Sequence, residues 1–393
     1  MEKYIYMDNA ATTRVKKEVL EEMLPYFSEN YGNPSSVYTL GSKSKNAVEI
    51  ARERVAKAIN AKPSEIFFTA GGSEADNWAI KGVAFANRNK GNHIITSKIE
   101  HHAVLHTCEY LEKQGFRVTY LDVDEYGIVD LEQLKESITD ETILITIMFA
   151  NNEIGTIQPI KEIGEIAKSH GIYFHTDAVQ AVGHINIDVD DLNIDLLSMA
   201  AHKFYGPKGV GALYVRKGVK LDSLIAGGGQ ERSRRAGTEN VPGIVGMGKA
   251  IELAYEHLEE SNKKLIELRD RLINKVFENI DHVRLNGHPT QRLPGNVNLC
   301  FEFIEGESML LSLDMEGIAA SSGSACTSGS LEPSHVLLAI GLPHEIAHGS
   351  LRLSLGDFNT EEEVDYVVEK LTEIVSRLRA MSPLYEKVKK EEK

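Results

Sequence analysis

The sequence predicts an α/β fold: a large domain on a mostly parallel seven-stranded sheet flanked by helices, joined to a smaller α+β domain. Three observations carry this. Seven short runs between about Ile66 and Val215, "IFFT", "HIITS", "FRVTYLDV", "TILITIMFA", "GIYFHTDA", "DLLSMA" and "GVGALYV", alternate with amphipathic, charge-bearing segments of helical length. Strands spaced in this way pair in parallel and are covered from both sides. A Glu-, Lys- and Leu-rich pattern from Val241 to about Asn279 then reads as one long helical connector. Beyond it, "HVRLNG", "NVNLCFEF", "GIAASSG" and "SLRLSL" interleave with helical stretches and end in a helix from about Thr360 to Ala380. Residues 13–255 are assigned to the large domain, and 1–12 with 256–393 to the smaller one; 393 residues suffice for both.

Composition narrows the functional classes. With 43 basic and 58 acidic side chains the formal charge is −15, a surface that repels phosphate backbones and argues against nucleic acid as a partner. No apolar stretch approaches the length of a membrane span and "MEKYIYMDNAATT" is no targeting segment, so the expectation is a cytoplasmic protein. Cys108, Cys300 and Cys326 are too widely spaced for a disulfide framework or a Cys-x-x-Cys metal site.

Ligands of parallel sheets bind beyond the carboxyl ends of the strands, so the residues that follow each run carry the chemistry. "FFTAGGSEADN" passes from a strand through Gly71 and Gly72 into Ser73 at the start of a helix, where unpaired N–H groups favour an anion; a capped helix is the plain alternative. After "HIITS" come His101 and His102, and an imidazole there can stack on a planar ring. Apart from Cys108, no carboxylate or thiol sits at zinc-ligand spacing from His101, His102 and His106. Asp177 in "HTDAVQ" and Lys203 in "AAHKFYGPKG" sit near the ends of neighbouring strand candidates. A lysine that forms a Schiff base and a carboxylate that keeps a pyridine nitrogen protonated fit pyridoxal 5'-phosphate, with a strand-end salt bridge as the competing reading.

Two further stretches need an account. "SSGSACTSGS" surrounds Cys326 with residues that build neither a core nor a regular helix, whereas Cys108 and Cys300 lie in apolar surroundings as small hydrophobes do. "HEIAH", His344–His348, has the form of a zinc-protease helix. Its candidate helix has only about two turns before "GSLRLSL", and Glu361–Glu363 are explained by a helix dipole.

The chain resembles the cysteine desulfurases of the NifS/IscS type, class V aminotransferases among the fold type I pyridoxal phosphate enzymes. The resemblance rests on "YMDNAATT", "YGNPSS", "GGSEADN", "EHHAV", "NNEIGTIQPI", "HTDAVQAVG", "HKFYGPKGVGALYV", "GGGQERSRRAGTEN", "SSGSACTSGSLEPSHVL" and "LRLSLG", in family order over nearly the whole chain. It implies conversion of L-cysteine to L-alanine, with the sulfur captured as a persulfide on Cys326, which a serine- and glycine-rich loop at about 321–332 would carry to a sulfur acceptor such as an iron–sulfur scaffold. It further implies that Lys203 holds the cofactor, Asp177 pairs with its ring nitrogen, Gln180 donates to its ring hydroxyl oxygen and His101 stacks on the ring. Gly72, Ser73 and His202 would bind the phosphate, as would Thr238 donated by the other subunit of a homodimer. Asn152 would contact cofactor or substrate, Arg352 the substrate carboxylate, and Asn33 would line the same pocket. Ala200 stands where many members have a phosphate-binding serine. A selenocysteine lyase and an aminotransferase are the nearest competing activities.

Overall fold

A computed structural model describes residues 4–322 and 333–386. The strands are β1 (Ile5–Tyr6), β2 (Ile66–Thr69), β3 (His93–Ser97), β4 (Arg117–Leu121), β5 (Thr142–Thr146), β6 (Tyr173–Asp177), β7 (Leu196–Ala200), β8 (Gly211–Val215), β9 (Val283–Leu285), β10 (Asn296–Phe301), β11 (Ile318–Ala319) and β12 (Ser350–Ser354). Seven of them form one sheet in the order β2-β8-β7-β6-β5-β3-β4. Only β8 runs against its neighbours; all other pairings are parallel.

Both faces of this sheet are apolar, because successive side chains point to opposite sides. Phe67, Ile94, Leu144, Leu196 and Leu213 face Trp78, Ile80 and Val83 of helix Gly72–Ala86. Their neighbours Phe68, Ile95, Ile145, Leu197 and Tyr214 belong to the core on the other face, shared with helices Thr39–Ala58, Ile160–Ser169 and Val241–Glu256. Trp78 is held on Phe67 edge to face at 5.7 Å, and its indole N–H donates to the Asp222 carbonyl. Since β8 alone is reversed, β2, β3, β5, β6 and β7 all end at one edge of the sheet.

The expected single connector is two helices, Val241–Glu256 and Leu258–Asn279, separated at His257 with φ −113° and ψ 13°. The break lets each helix serve a different core. Ile244, Val245 and Ile251 pack on the large sheet, whereas Leu265, Leu272 and Val276 pack under the antiparallel sheet β12-β10-β9 with helix Glu361–Ala380. β1 adds in parallel to β11, which places Ile5 and Met7 in this second core. "HEIAH" forms only a four-residue helix, His344–Ala347, shorter than the two turns expected, and β12 follows at Ser350. Thr360 caps the last helix through the Glu363 N–H, with Glu361–Glu363 in its first turn.

Close approach decides the residue at Gly211, where β8 passes the turn before helix Gly72–Ala86. A methyl group there would lie 2.5 Å from the Met199 carbonyl oxygen and 2.8 Å from Gly71. Both obstacles are backbone, which cannot swing aside as a side chain does. Gly211→Ala is expected to cost roughly 1–3 kcal/mol and to lower the melting temperature in scanning calorimetry; an unchanged melting temperature would show that the strands separate freely here.

Candidate active site

The strand ends at the shared edge surround a cavity of about 310 Å³. Asp177 is the last residue of β6. Lys203 closes a 3-10 turn, Ala201–Lys203, directly after β7. Gly72 and Ser73 open the helix after β2, and His101 precedes helix His102–Glu112 after β3. These residues line the cavity together with Gln180, His202, Asn152 and Arg352. Nine residues expected to act together are thus brought into one space, and Ala200 is on its wall.

The Lys203 ammonium donates to the carbonyl oxygens of Ala10 and Ala11, at 2.5 and 2.8 Å. Gln180 donates to the same Ala10 carbonyl at 2.9 Å. Opposite them, Arg352 donates to the Asn152 carbonyl and to Asp8, both at 3.0 Å, while its Nε is buried and has no hydrogen-bond partner in the structure. The guanidinium is held in place on the cavity wall. A further hollow lined by Thr12, Ser73, His202 and Lys208 adjoins the cavity beside the first residues of helix Gly72–Ala86. His202 Nδ1 lies 3.1 Å from the Thr12 hydroxyl.

Burial dominates the electrostatics. Asp177 accepts the Val179 N–H at 2.9 Å, yet burial still raises its pKa, with His101 and Lys203 opposing. Burial lowers His101 and holds His202 near 4, the latter aided by Lys203 and Lys208, so both imidazoles are neutral at pH 7. Three acids without an assigned role lie around the cavity. Asp76 lines it and is raised well above the carboxylate range by burial and then by Asp177. Burial lifts Glu100 to about 8, against the Ser97 hydroxyl at 2.6 Å and the Met148 N–H at 2.9 Å. Glu153 rises to about 7, also by burial, although it accepts from Ser334 and faces Arg352. Atoms of Asp76, His101 and Asp177 approach within 4.8 Å of one another. Two unit charges at that separation repel by about 3 kcal/mol at an effective dielectric of ~20, which adds to burial in disfavouring an anion on Asp76 beside Asp177.

A model of the family named Aminotransferase class-V matches residues 5–367. A protein of Clostridium botulinum named cysteine desulfurase IscS is 67% identical over 388 residues, 98% of each chain. The chain belongs to the cysteine desulfurase family. A solved NifS-like protein superimposes on this desulfurase-family fold with a TM-score of 0.91 and 43% identity, covering 96% of this chain and all of the other. Another solved structure, "SspA in complex with cysteine", is 44% identical with a TM-score of 0.81 and covers 91% of this chain and all of its own.

Two expected site residues lie apart from the cavity. Thr238 lines a separate hollow with Thr69, Ala70 and Arg235, and the Asn33 side chain accepts the Ser35 N–H. Cys326 lies outside the described residues, as does most of its loop. The two remaining thiols are poor nucleophiles: burial raises Cys108 far above its ordinary value and pushes Cys300 up to about 11. Sequence reasoning gave no role to Glu100 in "EHHAV" or Glu153 in "NNEIG"; the available signal was an acid beside residues of a strand-end site.

The Glu100 shift has a measurable consequence. Between 4.5 and about 8 the folded protein retains a proton that the unfolded chain has released. This contribution to stability is present below pH 4.5 and is lost as the pH rises through about 8. Glu100→Gln removes the loss, so thermal unfolding across this range should show the variant gaining on wild type, by a few kcal/mol at the alkaline end. Parallel pH profiles would show that Glu100 does not titrate there.

Proposed function

We propose that this protein removes sulfur from L-cysteine with pyridoxal 5'-phosphate as cofactor, leaving L-alanine and a persulfide on Cys326. The observation that carries the reading is the convergence of Lys203, Asp177 and Arg352 in one cavity, with an aromatic imidazole, His101, between the strand ends. Several features fit the cofactor. Gly72 has no side chain where a methyl would meet Val179 at 2.6 Å, and the N-terminus of a 15-residue helix faces the adjoining hollow, where a phosphate finds free N–H groups. An acidic partner for a pyridine nitrogen stands at the end of β6 in Asp177.

Lys203 is the residue that would bond the cofactor aldehyde, with Asp177 on the ring nitrogen, Gln180 on the ring hydroxyl oxygen, and His101 over the ring. Gly72, Ser73 and His202 would hold the phosphate. Ala200 offers no hydroxyl, and Thr12 and Lys208 in the adjoining hollow are the donors positioned to compensate. When bound, the cofactor supplies an electron sink beside the substrate Cα. Arg352 takes the substrate carboxylate, with Asn152 fixed beside it, and Lys203 moves the Cα proton once it is free as an amine. The Cys326 thiolate attacks the substrate sulfur; the S–S bond forms, the C–S pair stays on Cβ, and a proton completes alanine.

The described ends of the Cys326 segment favour this role. Ser321 is paired through both backbone groups to Arg352 of the cavity wall, and Ser334 bonds Glu153, the neighbour of the lining residue Asn152. Cys326 is five residues from Ser321, a reach of up to about 17 Å. Persulfide transfer to an acceptor such as an iron–sulfur scaffold follows from that chemistry.

We read the chain as two domains, 13–255 and 1–12 with 256–393, supported by the separate cores on the two sheets. We also read it as a homodimer in which Thr238 completes the partner's cavity. Thr238 stands outside its own chain's cavity, and Leu24, Phe27, Tyr31 and Val37 expose large apolar side chains. A cytoplasmic location agrees with the free thiols of Cys108 and Cys300. Among the described residues no helix is long and apolar enough to cross a membrane.

Paired quantitation of alanine and sulfide after addition of L-cysteine and a thiol reductant tests the reading. Equal catalytic yields are expected; pyruvate and ammonia, or amino transfer to a 2-oxo acid, would overturn it. Cys326→Ala should keep the cofactor absorbance and lose sulfide release, whereas Lys203→Ala should lose the normal absorbance. Arg352→Ala should raise KM for cysteine by roughly tenfold to hundredfold with the cofactor retained; an unchanged KM would remove Arg352 from the substrate site.

A further inference from the structure

Asp177 shares its end of the cavity with a second acid that has no part in the proposed chemistry. Asp76 projects from helix Gly72–Ala86, is 1% exposed, and lines the cavity wall. Its Oδ1 is buried without a hydrogen-bond partner in the structure and lies 3.7 Å from His175 Nε2. That imidazole does not balance a charge. Its two nitrogens are engaged by the Thr146 and Ser198 hydroxyls at 2.8 and 3.0 Å, and burial holds it near 3, hence neutral. The ionisable groups facing Asp76 are Asp177, Glu100, His101 and His175; with Glu100 protonated and both imidazoles neutral, the charge nearest to it is that of Asp177.

We propose that Asp76 is a protonated carboxylic acid at neutral pH, a positioning residue that leaves Asp177 as the single anion facing the ring-nitrogen end of the cofactor. The inference rests on the cofactor reading above and deepens it. Two neighbouring carboxyls shut off from water share one charge, and the charge goes to the one with better partners. Asp177 has the Val179 N–H, with Lys203 and His101 nearby; Asp76 has the Ser198 hydroxyl alone in its favour. Burial, and after it the Asp177 charge, disfavour an anion at 76. One ring-nitrogen proton then meets one carboxylate, and the second acid fills the wall without adding a charge that nothing offsets.

The test compares wild type, Asp76→Asn, Glu100→Gln and Asp177→Asn by infrared spectroscopy in the protonated-carboxyl C=O region at neutral pH. Pyridoxal phosphate affinity is then measured on the same proteins. Asp76→Asn should lose one component of the band and Glu100→Gln a different one, while Asp177→Asn, which removes the competing charge, serves as the reference for cofactor affinity. Cofactor affinity should change by less than about threefold in Asp76→Asn and fall by about thirtyfold or more in Asp177→Asn. A wild-type band that survives intact in Asp76→Asn, or cofactor loss there as deep as in Asp177→Asn, would overturn the assignment. If Asp76→Asn does not fold, Asp76→Ser carries the same expectations. Because the infrared arm reads the protein without its cofactor as well, failure of wild type to bind pyridoxal phosphate would sink the cofactor reading and still leave the proton on Asp76 to be decided.

Discussion

The strap formed by residues 7–13 is the constraint on which the site depends. Its backbone runs where water is scarce, so each of its polar groups needs a partner. Ala10 donates to the Ser354 hydroxyl, Ser354 donates its own N–H to Met7, and Thr13 donates to the His202 carbonyl. The Ala10 and Ala11 carbonyls take Lys203 and Gln180. One short segment therefore satisfies itself on β12 of one sheet and on the turn after β7 of the other. The lysine is aimed by a segment whose anchor, the β1–β11 pairing, belongs to the second core.

The edge of the parallel sheet explains why the polar residues collect where they do. Inside the strands both faces are apolar, and a side chain there meets a helix. At the strand ends this cover stops, and Asp177, Lys203, His101 and Asn152 follow their strands within a few residues. The site pays for its enclosure in charge: acids are driven toward their neutral forms and imidazoles are held neutral, while Arg352 keeps a bonded place beside Asp8. Charge is concentrated on a few groups, where it can be directed at a ligand.

Local pattern and tertiary setting decided different rival motifs. "HEIAH" has the letters of a zinc helix, but a helix of four residues ending before β12 is too short to be the scaffold that such chemistry uses. The cysteines divide in the same way. Cys108 and Cys300 are buried and raised in pKa, which removes them as nucleophiles for the same reason that they pack well.

The sequence by itself determined the sheet and the strand-end residues, because both are written locally. A period of two with apolar residues on both sides marks a covered strand; Asp177 ends such a run, and Gly71–Ser73, His101 and Lys203 each follow one within four residues. Composition likewise separated Cys326 from the two apolar cysteines. The tertiary structure decided what depends on residues distant in the chain. The connector divides at His257 because its halves serve two cores, and the N-terminal strand goes to β11, which no local pattern selects. Asp76, Glu100, Glu153 and His175 read as ordinary polar residues until the fold withdraws water from them. Protonation follows burial, and burial is set by what the rest of the chain places around a residue.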